Sequence, residues 1–141
     1  MVTCTFTVDD SVSSVYYNGQ DITSTVKGDL THWDQAKTVS FAKVPGAYLA
    51  VTGEEADSAG SCGISGFAIT CSDSKGVMDS KGKWSAVSSA SPLRPDDPRR
   101  AGQGDKWESP CESTSGIFLP GAQPTVRIWG GQKYSVLRWQ V

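Results

Sequence analysis

Apolar and polar residues alternate along most of this chain. In TCTFTVDD, Cys4, Phe6 and Val8 share one face and threonines the other, the period of two that marks a half-buried strand. SVSSVYYNGQDITS reads as a second strand, a turn and a short third strand. Asn18 is the single asparagine among 141 residues, and Asn-Gly fills a two-residue turn whose central residues both take positive φ. GDLTHWDQ is a loop, KTVSFAKV alternates through Val39 and Phe41, and Pro45-Gly46 turns the chain into AYLAVTGEE, a buried strand with an acidic edge. ISGFAITCSD is a further strand, SKGVMDSKGK a hairpin-like excursion ending near Trp84, and TVRIWGGQKYSVLRWQV two strands around Gly130-Gly131. From Ser85 to Pro120 the periodicity fades, which predicts a long irregular loop over about 88–116, pinned by Cys111. Short strands with turn signals every 8–12 residues or so predict one all-β domain over 1–141, an antiparallel β-sandwich of jelly-roll type.

Composition narrows the partners. The formal net charge is −2, and the one basic cluster, Arg94 with Arg99 and Arg100, is interleaved with Asp96 and Asp97; nucleic acid is not an expected partner. No run approaches the roughly 20 apolar residues of a membrane helix, so no membrane insertion is expected. Four cysteines without close metal-like spacing fit two disulfides and an oxidising compartment, with four reduced thiols in a cytosolic protein as the alternative. Cys62 and Cys71 would lie about 30 Å apart on an extended segment, too far for a bridge needing about 5.5–6 Å between Cα atoms. Antiparallel pairing of TCTFTV with GFAITC instead brings Cys4 to Cys71 and leaves Cys62 for Cys111. The expectation is a secreted protein whose leader has been removed, monomeric or weakly oligomeric.

A set of landmarks points further: DDSVSSVYYNG, Trp33 in a loop, YLAVTGEE, AGSCGISGFAIT, GKW at 82–84 and the terminal IWGGQKYSVLRW. Their order resembles the galactose-binding-like β-jelly roll found beside bacterial rhamnosidases and in discoidin-type modules. There a strand ending in Asp-Asp leads to a Y-x-N-G turn, a glycine-containing strand, an isolated tryptophan and a closing hairpin. The resemblance implies that carbohydrate binds in loops at one end of the sandwich or on a concave face. The cysteines and the 91–111 insertion depart from that pattern, and such loops carry specificity.

The chemistry follows from a few residues. His32 is the only histidine, and GSCGISG lacks the G-x-S-x-G spacing of a nucleophile elbow. The pairs Asp9/Asp10, Glu54/Glu55 and Asp96/Asp97 are adjacent, so on strands their members point to opposite faces and cannot flank one bond. No catalytic constellation is expected. Asp9, Asp10, Glu54, Glu55 and Asp57 would gather at one end of the sandwich, where calcium, which takes six to eight oxygens or so, is a candidate cofactor; turn caps and edge protection are the alternative. Sugar binding needs an aromatic face and polar neighbours. Of five tryptophans, Trp84, Trp129 and Trp139 read as core, whereas Trp33 and Trp107 sit in polar loops. Trp33 and Trp107, with His32, Asp34, Arg99 and Arg100, are therefore the candidate ligand residues, and Asp9 and Asp10 candidate hydroxyl partners. The expected function is carbohydrate or glycoprotein binding. An adhesion or matrix module that binds protein is the rival, and a glycoside hydrolase the weaker one.

Overall fold

The computed structural model describes residues 1–55, 66–73, 76–79, 83–113 and 127–141. Among them lie strands β1 (Val2–Asp9), β2 (Ser11–Tyr17), β3 (Gln20–Asp21), β4 (Lys37–Phe41), β5 (Tyr48–Glu54), β6 (Gly66–Asp73), β7 (Gly76–Asp79), β8 (Ser85–Ser89), β9 (Cys111–Ser113), β10 (Arg127–Trp129) and β11 (Tyr134–Gln140). They form the expected antiparallel β-sandwich. One sheet has six strands, ordered β4-β1-β6-β10-β9 with β7 joined to β6; the other has five, ordered β3-β2-β5-β11-β8.

Strand alternation builds the core. Val2, Cys4, Phe6 and Val8 of β1, with Val39 and Phe41 of β4, Phe67 and Ile69 of β6 and Ile128 of β10, face Val15, Tyr17, Leu49, Val51 and Leu137 of the other sheet. Tyr17 stacks on Phe41 across the gap at 4.1 Å between ring centroids, and Phe67 meets the edge of Trp84. Trp84 and Trp129 are buried and Trp139 packs against the core in part, beside Trp84, as their positions suggested. Burying one such ring is worth about 2–3 kcal/mol.

Cys4 pairs with Cys71 in the β1–β6 register and is bonded to it. Cys111 is also disulfide-bonded; Cys62, its expected partner, lies outside the described residues. The Asn18-Gly19 turn joins β2 to β3 with φ of 52° and 78°, the conformation for which that dipeptide is suited.

Two expectations change. The segment after Trp84 is not irregular throughout: β8 pairs with β11, a 3₁₀ turn forms at Pro98–Ala101, and β9 pairs with β10. The serine-rich SAVSS gives alternation too little contrast to show its strand. The 3₁₀ turn was readable in DPRRAG, with Asp97 capping, Pro98 at the first helical position and Gly102 closing at φ 82°. Nor do β10 and β11 form a closing hairpin. They belong to opposite sheets, and Gly130 to Lys133 carries the chain between them. Asp10 does the same between β1 and β2.

Candidate functional site

The loop over 28–36 lies against the six-stranded sheet. Its anchor is Lys37, which alternates in phase with Val39 and Phe41 and therefore points inward, fully buried at 0 % exposure. Its Nζ donates to the carbonyls of Gln35, at 2.7 Å, and His32. Burial pushes the Lys37 amine below its ordinary range, while Asp29 and Asp34 act to hold it up. Thr7, on the outer face of β1, donates to the Trp33 carbonyl, and Val12 N–H donates to the Leu30 carbonyl at 2.7 Å. The backbone is thus tied on both sides while the Trp33 ring stays 40 % exposed. Beside it, His32 Nδ1 lies 2.6 Å from Asp29 Oδ2. Asp29 also accepts from the Thr31 hydroxyl and N–H, and these bonds, with His32, hold its carboxyl at about 2.

The segment over 91–110 lies against the other sheet. Ser14 and Thr52, side by side on the outer face of β2 and β5, are buried beneath it, and Arg100 Nε donates to Ser14 Oγ at 3.3 Å. Arg99 turns back on Asp97 through Nε and Nη2, the latter at 2.6 Å, and this pairing holds Asp97 below the usual carboxylate range. Trp107 covers the Arg138 guanidinium at 4.1 Å, Tyr48 covers it at 4.4 Å, and Arg138 Nη1 donates to the Gly102 carbonyl at 2.5 Å. Glu108 exchanges both backbone hydrogen bonds with Ala86, extending the sheet edge. Between this segment and β8 runs a cleft of about 400 Å³ lined by Arg99, Asp105, Lys106 and Glu108 among others, charges of both signs.

At the corner where β1 passes to β2, the carboxylates of Asp9, Asp10 and Glu55 come within 4.8 Å of one another. Strand alternation does not separate Asp9 from Asp10, because Asp10 sits at a bend outside both strands. Glu55 is 2 % exposed. Burial first, then the hydrogen bond and repulsion from Asp10 and the charge of Glu55, push Asp9 up to about 7 against the opposing charge of Arg127. Such a cluster can share a proton near neutrality, or offer three of the six to eight or so oxygens that calcium takes.

The predicted residues therefore separate. His32, Trp33 and Asp34 share one loop; Arg99, Arg100 and Trp107 share another, on the outer face of the opposite sheet. Of the predicted acidic set, Asp9, Asp10 and Glu55 come together, Glu54 accepts from the Tyr134 hydroxyl at 3.3 Å, and Asp57 lies outside the described residues. Sequence reasoning missed Lys37, whose phase with Val39 and Phe41 was the signal. It also missed Arg138, which alternation with Leu137 places on the outer face. No helix among the described residues is long and apolar enough to cross a membrane. No family model, no curated protein and no solved structure matches the chain.

Proposed function

We propose that this protein is a secreted carbohydrate-binding module, and that the loop over 28–36 is its binding edge. Trp33 stacks on the apolar face of a pyranose, and His32, Asp29 and Asp34 serve the hydroxyls. One observation carries this reading: an exposed indole stands on a loop whose backbone is stapled by a fully buried lysine. A platform fixed before the ligand arrives loses little entropy on binding. The other large exposed hydrophobics among the described residues, Met1 and Val44, flank the opposite end of the β1–β4 pair. Trp33 is thus an isolated loop aromatic, which supports a sugar platform over the extended apolar patch of a protein-binding adhesion module.

On this reading Arg99 and Arg100 are internal ties and not ligand groups. Calcium assistance falls to Asp9, Asp10 and Glu55, since Asp9 follows Thr7 on the same face of β1 at about 7 Å and Thr7 holds the Trp33 carbonyl. The membership in a galactose-binding-like jelly-roll family belongs to the same proposal and rests on the sequence landmarks. A glycan array run in calcium and again in chelator tests it. Binding that Trp33→Ala abolishes is the expected result. Binding that survives Trp33→Ala overturns the assignment of the loop, and loss in chelator brings the acidic corner into the site.

A further inference from the structure

A second pocket, of about 280 Å³, opens at the edge of the five-stranded sheet and is lined by Tyr48, Lys83, Ser85, Arg138, Trp139 and Gln140. Its composition is one-sided. Two cations and two aromatic residues line it, and among the described residues no acid does. Neither Lys83 nor Arg138 has a carboxylate partner among the described residues.

Arg138 is the informative member. A guanidinium is planar, always charged and weakly hydrated, so it stacks well on aromatic rings. Here it lies between the rings of Tyr48 and Trp107, and Nη1 is spent on the Gly102 carbonyl. That leaves the orientation of the plane fixed and its other edge free to donate, with the charge unneutralised. Arg99 behaves differently, being closed onto Asp97. Trp139 adds an indole that the core covers only in part, and Gln140, whose Nε2 donates to the Gly46 carbonyl, keeps its amide oxygen for a hydroxyl.

We infer that this pocket binds the carboxylate of an acidic saccharide, with Arg138 as the fixed planar donor, the exposed Lys83 as a second counter-charge and Trp139, half covered by the core, as the apolar wall. The saccharide part of this inference rests on the carbohydrate reading above; the site itself is separate, at the edge of the other sheet. A planar fork matches a carboxylate bidentately, which favours uronates over sulfate esters.

Calorimetric titration of the whole protein with tetragalacturonate, neutral galactotetraose and a sulfated galactotetraose tests it. Tetragalacturonate should bind, and binding should weaken about tenfold in Lys83→Ala, as for loss of one charge-assisted hydrogen bond. It should also fall sharply at about 1 M salt, where the screening length is about 3 Å, and be indifferent to Trp33→Ala. Arg138→Lys, which keeps the charge but loses the fork, should weaken the uronate more than the sulfate ester. Equal binding of neutral and acidic tetrasaccharides, unchanged in Lys83→Ala, overturns the inference while leaving the carbohydrate reading standing. Acidic binding that vanishes in Trp33→Ala also overturns it, by placing the ligand at the other loop. No binding of either acidic probe, beside Trp33-dependent glycan binding, overturns the second site alone.

Discussion

The two long loops of this sandwich solve the same problem in opposite ways. One reaches from β4 to β2 with Leu30 on the core and the other lies on the outer side of the five-stranded sheet; each carries a tryptophan, and each is held by polar contacts. In the 28–36 loop the anchor comes from below: a lysine buried in the sheet reaches up to two loop carbonyls, and the tryptophan is left over as exposed surface. In the 91–110 segment Arg138 likewise reaches up from the sheet to the Gly102 carbonyl, but the loop spends its own side chains as well. Arg99 is consumed by Asp97, Arg100 by Ser14 and Trp107 by Arg138. A loop that spends its own side chains on staying in place has few left for a ligand. What decides whether a loop aromatic is available is therefore whether the ring is itself part of the tether, and polar sequence context alone does not report that.

Removing the tether from below should have the largest effect. Lys37→Ala deletes a long buried stem and leaves two carbonyls without their donor, so the expected loss is about 2–4 kcal/mol in urea unfolding. Lys37→Met fills the cavity and should recover about half of it. If Lys37→Ala unfolds at the wild-type midpoint, the contrast between the two loops is wrong. Next in size is Trp107→Ala, which uncovers one face of the Arg138 guanidinium and should cost about 1–2 kcal/mol. Asp97→Ala removes the cap of the 3₁₀ turn together with the partner of Arg99, at about 1 kcal/mol. Both variants should leave Trp33-dependent glycan binding intact, whereas Lys37→Ala should weaken it. A glycan array on the three proteins reads this directly.

Legibility in the sequence followed the strength of alternation. The strands of TCTFTVDD and YLAVTGEE stood out because apolar and polar residues contrast at each step, and that register sufficed to bring Cys4 opposite Cys71. SAVSS did not stand out, since serine is neither strongly apolar nor excluded from the interior. Tertiary placement was harder. Trp33 and Trp107 look alike in THWDQ and DKWES; their difference lies in Lys37 and Arg138, each far from the ring it governs or brought to it only by folding. Asp9 and Asp10 were read as members of a strand, and the bend between sheets made them neighbours instead. Propensity carries no information about which corner folds back on itself.

The smallest effect separates the two loops from the corner by pH. Asp29 and Asp97, one acid from each loop, sit below the ordinary carboxylate value. What they add to stability is present at neutral pH and is lost only as pH falls below about 4. Asp9 runs the other way. Its folded-state value of about 7 lies above the 3.8 of the unfolded chain, so between these limits the folded protein holds a proton that the unfolded chain has released. Stability from this group is complete below about pH 4, declines as pH rises, and levels off above about 7. Because Asp9 is only half-buried, solvent screening reduces the effect to about 3 °C in Tm across the window. Asp9→Asn should flatten the difference between pH 4.5 or so and about 7.5 while leaving the acid limb, to which Asp29, Asp97 and Asp21 contribute, unchanged. Thermal melts at several pH values decide it: a slope that persists in Asp9→Asn would mean that Asp9 does not hold the proton.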